Sequence, residues 1–204
     1  MINPNRKLDE SAADIIADFL DEKMYGQFEN VERVYDKARQ VKGLDIIFKM
    51  KGHTYYCDEK AAVQYINQGL GTFALELYTL DRFGNPHIGW LFDTEKLNDS
   101  FLFVWIDKAD SNRLTHKSQL HSVEVALVRK EKIVEHLKRL GWDSAKILRK
   151  AERIWRNADE PQGNIFVHGC KFVCSRKLPE QPVNIILPRK TYIELSDFHT
   201  TITQ

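Results

Sequence analysis

The sequence predicts a mixed α/β (α+β) fold, in which a mixed central sheet is flanked by helices. Three features support this prediction. Apolar residues recur at helical spacing near the N-terminus, residues 44–106 alternate in polarity as strands do, and amphipathic helices with short strands follow. At 204 residues, the chain is expected to form a single domain over residues 1–204.

Composition and charge narrow the class of protein. Hydrophobic residues make up 43% and charged residues 29%, which is typical of a globular protein. Because the net charge is only +1, binding to nucleic acid cannot rest on bulk charge. The N-terminal residues lack a signal-peptide pattern, and no run reaches the roughly 18 apolar residues of a membrane helix. Three cysteines are too few for a disulfide framework, so we expect a cytoplasmic protein without a membrane partner.

Two helices are expected at the N-terminal end. The first helix is expected to begin near Ser11, which with Asp14 resembles a capping box. Apolar residues then follow at helical spacing, and the helix is expected to end at Gly26. A second helix is expected over residues 27–40, because its apolar side chains fall on one face. Both helices precede the strands along the chain.

Five strands are expected next, from the alternation of apolar and polar residues. They cover residues 44–50, 54–63, 72–80, 88–92 and 100–106. The pair Lys51-Gly52 is a turn signal, so the first two strands should form a hairpin. The rest of the chain is expected to contain a loop over 108–122, helices over 130–140 and from Asp143 or Ser144 to about 157, and strands over 165–174 and 183–187.

The first hairpin carries the residues with the clearest chemistry. Asp58 and Lys60 are two residues apart on one strand and point to the same face, while Glu59 points to the other. Pairing through the turn places Asp45 on the strand beside Asp58. Two adjacent carboxylates repel unless a cation lies between them, which indicates a divalent metal such as Mg²⁺ (or Mn²⁺). Such a metal polarises a phosphate, and a nearby lysine stabilises the developing negative charge.

At these residues the sequence resembles the PD-(D/E)XK nuclease superfamily. The hallmark of that family is an Asp on one strand followed by an acidic-x-Lys triplet on the next. Asp45 matches the first Asp, Asp58 the acidic position and Lys60 the lysine, while Leu44 stands where the family name has Pro. The resemblance implies metal-dependent cleavage of phosphodiester bonds in nucleic acid, with DNA as the expected substrate.

The resemblance has further implications for the fold and the site. It implies a restriction-endonuclease-like core over residues 25–106, which residues 107–204 would complete with C-terminal helices and short strands. Many members carry an additional metal-binding Glu on the preceding helix, and Glu29 is the candidate here, with Glu32 as its competitor. Many relatives act as dimers, so a homodimer is a further expectation.

Two more polar residues each have two interpretations. Glu76 lies in an apolar strand, where a carboxylate is costly unless it is paired. It is either an accessory metal ligand or partner of Lys60, or a residue on a half-exposed face. Gln64 follows the acidic-x-Lys strand and either contacts a metal-bound water or the nucleic-acid backbone, or only ends the strand.

Basic residues concentrate in the second half of the chain. Residues 129–156 contain ten Lys and Arg against four Asp and Glu. The helix that begins near Ser144 presents five of them on one side, which is either a nucleic-acid-binding face or a solvated amphipathic surface. These residues are Lys146, Arg149, Lys150, Arg153 and Arg156.

The sequence therefore predicts an endonuclease-like phosphodiesterase. In this interpretation Asp45 and Asp58 bind the metal and Lys60 positions or activates the attacking water. The alternative is a non-catalytic module on the same fold that binds nucleic acid or protein. A third interpretation is a structural or interaction protein in which the charges of the hairpin are incidental.

Overall fold

A computed structural model describes residues 4–81, 83–157, 165–167 and 170–204. The described chain is a mixed α+β protein, as the sequence predicts. It divides into two compact units, which is a finer division than the single domain expected from its length. The first unit comprises Met1–Gly71, Leu97–Arg129 and Tyr192–Gln204, and the second comprises Thr72–Lys96 and Lys130–Thr191.

The described residues form eleven strands and five α-helices. The strands are β1 (Glu29–Arg33), β2 (Ile46–Met50), β3 (His53–Ala61), β4 (Thr72–Leu80), β5 (Pro86–Ile88), β6 (Ser100–Ala109), β7 (Leu120–Arg129), β8 (Ile165–Val167), β9 (Cys170–Cys174), β10 (Val183–Pro188) and β11 (Phe198–Thr203). The helices are α1 (Pro4–Lys23), α2 (Lys37–Val41), α3 (Lys130–Arg139), α4 (Ser144–Arg156) and α5 (Arg189–Leu195). None of these described helices combines the length and apolar composition that crossing a membrane requires.

The first unit is built on a six-stranded mixed sheet with the order β1-β2-β3-β6-β7-β11. β2 and β3 form an antiparallel hairpin in which Ile46 lies opposite Cys57. Its turn uses Lys51 at φ +50° and Gly52 at φ +80°, the left-handed backbone that a two-residue hairpin turn requires. β3 also pairs in parallel with β6. The candidate site is therefore built on a strand that has neighbours on both sides.

One face of this sheet is covered by α1. The apolar positions of α1 at spacings of three and four, including Ile16, Phe19 and Leu20, are buried in one hydrophobic cluster with Phe48 of β2 and Val104 of β6. Full burial of a side chain of this size contributes about 1.5–3 kcal/mol. This cluster holds the hairpin against the helix and so gives β2 and β3 a rigid base.

The second unit contains a five-stranded antiparallel sheet with the order β5-β4-β10-β9-β8. α4 packs on this sheet through its buried face, which includes Ile147, Ala151 and Ile154. The ring of Trp155 lies 5.4 Å from the ring of Tyr78 on β4, measured between centroids. The opposite side of α4 carries most of its basic residues, as the helical spacing predicts.

The expected helix over residues 27–40 is wrong. Glu29–Arg33 forms β1, which pairs with β2, and only Lys37–Val41 is helical. Asn30 has a φ of +52°, and the register of β1 against β2 shifts between Glu29 and Glu32. This irregularity breaks the alternation that marks a strand, so the sequence alone favours a helix. Pairing with β2, which is a tertiary contact, makes the segment a strand.

Other boundaries differ for local reasons. Ser11 lies inside α1, so the predicted capping box is wrong. The expected strand over residues 88–92 is replaced by β5, because the chain turns at Gly89 tightly against β4. A Cβ atom at Gly89 would lie 2.5 Å from the carbonyl carbon of Glu76. The strand expected over 165–174 is split into β8 and β9, and its positions 168 and 169 lie outside the described residues.

We expect Gly52→Ala to lower the free energy of unfolding by about 1–2 kcal/mol, because a side chain disfavours left-handed backbone. A Cβ at Gly52 meets no heavy atom within 4 Å, so the loss reports backbone strain alone. Gly71→Ala is the matched control, since its surroundings are equally open and its φ is not positive. Urea denaturation measures both variants, and equal losses would contradict the assigned hairpin turn.

Candidate functional site

Asp45 precedes β2 and is held by backbone hydrogen bonds on both sides. Its amide donates to the carbonyl of Cys57 on β3 at 2.9 Å, and its carbonyl accepts from the amide of Val34 at 2.9 Å. The last pair of the ladder is Ile46 with Cys57, so Asp45 lies just beyond its end, beside the segment of β3 that begins at Cys57. Pairing to two neighbours fixes the backbone from which the Asp45 side chain projects.

Asp58 and Lys60 lie two residues apart on β3 and share one face of the sheet. Asp58 is paired with Phe101, a buried residue of β6, and is itself only 2% exposed. A buried carboxylate is unfavourable without a partner. Lys60 supplies that partner, with its Nζ atom 2.7 Å from Oδ1 of Asp58.

The Asp45 carboxylate is largely buried and bonded to the backbone of β3. Its Oδ2 accepts a hydrogen bond from the amide of Glu59 at 2.8 Å. Burial raises the pKa of Asp45, and the charge of Asp58 raises it further, from the ordinary 3.8 to about 7. The hydrogen bond from Glu59 and the charge of Lys60 act in the opposite direction. At neutral pH, Asp45 is therefore close to the midpoint between its two protonation states.

The two carboxyl groups suit a hard divalent cation. Oδ1 of Asp45 and Oδ2 of Asp58 make no hydrogen bond or ion pair within the described part of the chain. Mg²⁺ is commonly bound by one or two carboxylates, with waters and substrate phosphates completing its octahedral shell. No group of three or more His, Cys, Asp or Glu side chains among the described residues is arranged to hold a metal. A magnesium ion bound through Asp45 and Asp58 stays a prediction from the sequence.

The structure pairs Asp58 with Lys60 and places the Asp45 carboxylate on the amide of Glu59, between those two residues in the sequence. The charges of Asp58 and Lys60 shift the pKa of Asp45 in opposite directions. Their roles in metal binding and catalysis stay predictions.

The structure does not bring Glu29 or Glu32 to this cluster. Both lie on β1 instead of a helix, and Glu29 is paired with Lys49, four residues along the chain from Asp45. At about 3.3 Å per residue along a strand, that separation is about 13 Å. Glu32 is exposed and accepts a hydrogen bond from Arg39 at 2.9 Å. The pairing of β1 with β2 is the physical reason that the expected helical ligand is misplaced.

The two accessory candidates lie in different units. Gln64 is exposed in a single 3₁₀ turn directly after β3, and its carbonyl accepts from the side chain of Gln68 at 3.2 Å. Glu76 lies on β4, opposite Asn184 of β10. The roles suggested for both residues stay predictions.

The basic residues of α4 have partly local roles in the second unit. Nζ of Lys146 donates to the carbonyl of Gly141 at 2.7 Å. Arg156 pairs with Glu152 one helical turn away at 2.6 Å. Arg149 is exposed. Binding of nucleic acid by this helix stays a prediction.

Glu59 is the centre of a polar cluster that the sequence analysis missed. Its Oε1 accepts from the hydroxyl of Tyr25 at 2.6 Å, and its Oε2 is bound by the guanidinium of Arg33. Arg33 in turn donates from Nε to Oδ2 of Asp21 at 3.2 Å. Burial, followed by the charge of Glu59, raises the pKa of Tyr25, so its hydroxyl stays a donor.

This cluster ties three elements to one residue of β3. Asp21 belongs to α1, Arg33 to β1 and Glu59 to β3. The side chain of Glu59 lies on the face of β3 opposite to Asp58, while its amide donates to Asp45. The cluster therefore positions the amide that orients the Asp45 carboxylate. The sequence did contain a signal for this cluster. Glu59 shares one face of β3 with the apolar residues Cys57 and Ala61, and a carboxylate on such a face requires a polar partner.

Comparison of the chain with protein-family models, curated proteins and solved structures finds no match. The function is therefore inferred from the geometry of the hairpin and its surroundings.

We expect Asp45→Asn to stabilise the protein at high pH. Because the pKa of Asp45 is raised to about 7, the folded chain keeps a proton that the unfolded chain releases above about pH 4. Stability from this group is therefore present at low pH and lost as pH rises towards 7. An asparagine oxygen can still accept from Glu59 but carries no charge.

Urea denaturation should show a gain on the order of 2 kcal/mol at pH 8 and little change at pH 4. The control is Asp36→Asn, because Asp36 caps α2 from an exposed position and Asn caps equally well. A gain for Asp45→Asn that did not vary with pH would contradict a raised pKa.

We expect Arg33→Met to destabilise the protein by about 2–4 kcal/mol, because it leaves the largely buried Glu59 carboxylate without its cation. Adding Glu59→Gln removes the uncompensated charge and should recover part of the loss. A double-mutant cycle in urea measures this coupling. Strict additivity of the two substitutions would show that the ion pair does not hold the strands together.

Proposed function

We propose that this chain is a metal-dependent nuclease that hydrolyses phosphodiester bonds in nucleic acid, with DNA as the expected substrate. The observation that carries the proposal is that the Glu59 amide holds the Asp45 carboxylate beside β3, whose neighbouring Asp58 has the ammonium group of Lys60 at 2.7 Å. Two acids that could hold a metal and a lysine that could stabilise negative charge would suit metal-assisted attack on a phosphate.

Each side chain has a separate task in this proposal. Asp45 and Asp58 hold a Mg²⁺ or Mn²⁺ ion, which when bound polarises the phosphate and lowers the pKa of a water molecule. Lys60 stabilises negative charge that develops on the phosphate oxygens or orients the attacking water. Asp45 must lose its proton before it can bind a cation, and its pKa of about 7 sets the pH at which this occurs.

A restriction-endonuclease-like core is part of the same proposal. The helix α1 is followed by β1 and by the hairpin of β2 and β3, and the two strands carry the acid and the acidic-x-Lys triplet in the expected order. Within residues 25–106, Thr72–Lys96 belongs to the second unit, so this core would be interrupted by a segment with its own packing. The homodimer and the cytoplasmic location stay predictions from the sequence.

One observation favours the non-catalytic alternative. Each carboxylate already has a partner inside the protein, since Asp45 accepts from the Glu59 amide and Asp58 pairs with Lys60. A binding module could therefore keep this arrangement without a cation. Such a module would bind nucleic acid or protein and show neither metal-dependent stabilisation nor turnover.

We expect Mg²⁺ and Mn²⁺ to raise the melting temperature, and Asp58→Asn to abolish this effect. Because Asp45 releases a proton on metal binding, the apparent metal affinity should rise about tenfold per pH unit below pH 7 and level off above it. Calorimetric titration at pH 6, 7 and 8 measures this dependence. An affinity independent of pH would remove Asp45 from the ligand set.

Lys60→Met should reduce cleavage of plasmid DNA about 100-fold or more while metal-dependent stabilisation persists. The matched control is Lys49→Met, because Lys49 is a lysine on the neighbouring strand β2 and is paired with Glu29, away from Asp45. Parallel assays on single-stranded DNA and RNA identify the substrate. Wild-type protein that binds Mg²⁺ but cleaves none of the three would support the non-catalytic module.

A further inference from the structure

The loop that joins β1 to β2 lies directly beside the candidate site. This site loop, defined as residues 34–45, begins and ends at one hydrogen bond, in which the amide of Val34 donates to the carbonyl of Asp45 at 2.9 Å. Opposed Cα atoms of an antiparallel pair lie about 5 Å apart and consecutive ones 3.8 Å apart. The Cα atom of Tyr35 is therefore within about 10 Å of that of Asp45.

The site loop is anchored at its base and exposed at its surface. Val34 is buried, and the carbonyl of Lys42 accepts from the amide of Leu97 at 2.8 Å. Between these anchors, Tyr35 is 80% exposed and Val41 is 74% exposed. An aromatic ring held in water by an anchored backbone loses little conformational entropy on binding a flat partner.

The charge of the site loop complements a phosphate backbone. Residues 35–43 contain three basic side chains and one acidic side chain. Lys37 and Lys42 are exposed and make no ion pair or hydrogen bond through their side chains within the described part of the chain. Arg39 is instead engaged by Glu32. Lys37 is thus the first residue of the short helix α2, and Lys42 directly follows its last.

We infer that the site loop binds a single-stranded segment of the nucleic-acid substrate, with a base stacked on Tyr35 and phosphates contacted by Lys37 and Lys42. Stacking requires a base whose face is uncovered, which a single strand offers and an intact duplex does not. This inference rests on the proposed function, which places the cleaved bond beside the site loop. It extends that function by naming unpaired strands, or locally opened duplex, as the substrate class.

The test measures binding without metal, so that cleavage plays no part. A fluorescently labelled single-stranded DNA of about 20 nucleotides and the matching duplex are titrated with the whole protein in EDTA, and anisotropy is recorded. Tyr35→Ala should weaken single-strand binding about 5- to 100-fold, and Tyr35→Phe should leave it within about twofold. Duplex binding should change little in either variant.

Two controls separate stacking from general effects. Phe83→Ala removes a ring that is 73% exposed in the second unit and should leave single-strand binding unchanged. Replacing Lys37 and Lys42 together by Ala should reduce the slope of log affinity against log salt by about 1.4, the value for two single-strand phosphate contacts.

Several outcomes would overturn the inference. They are an unchanged affinity in Tyr35→Ala, an equal loss for duplex, an equal loss in Phe83→Ala, or displacement of the DNA by an acidic peptide at matched charge. The last result would assign the site loop to a protein partner. Failure of the nuclease proposal is seen separately, as Tyr35-dependent binding in EDTA without cleavage in Mg²⁺.

Discussion

Two acidic residues at one end of a hairpin, Asp45 and Asp58, are the constraint on which the first unit depends. Asp45 lies just beyond the last pair of β2 and β3, and the charge of Asp58 repels a second charge there. The amide of Glu59 and the ammonium group of Lys60 offset part of this repulsion. Burial of Asp45, and after it the remaining repulsion from Asp58, raise the pKa of Asp45. This residual repulsion is relieved by a proton in acid and would be relieved by a divalent cation at neutral pH.

The strand β3 links the two faces of its sheet at this point. On one face, the side chain of Glu59 is held by Tyr25 and Arg33, and through Arg33 by Asp21 of α1. On the other face, Asp58 and Lys60 form their ion pair. The backbone between them carries the amide that binds Asp45. A change in the packing of α1 would therefore act on Asp45 through Glu59, without a direct contact between the helix and the site.

Alternation of polarity, helix-capping residues and turn residues predicted the elements that depend on neighbouring residues in the sequence. β4 has the bounds expected from its alternation, α4 begins after the cap at Asp143, and the turn at Lys51-Gly52 led to the hairpin and to the proximity of its acids. Pairing between distant segments could not be predicted in this way. β1 is irregular and charged, and β7 is buried on most of both faces, so neither shows a clean period of two. The misplacement of Glu29 follows directly from the first of these failures.

The division of the chain also has a consequence for synthesis. The second unit is assembled from two excursions, and its strand β4 pairs with β10, so that Thr72 meets Pro188 more than 100 residues later. At about 5–20 residues per second, the ribosome makes β4 on the order of 6–20 seconds before its partner exists. During that interval β4 can pair with β5 but not with β10, so one edge of an apolar strand stays exposed on the nascent chain. The order of synthesis therefore limits when this sheet can form.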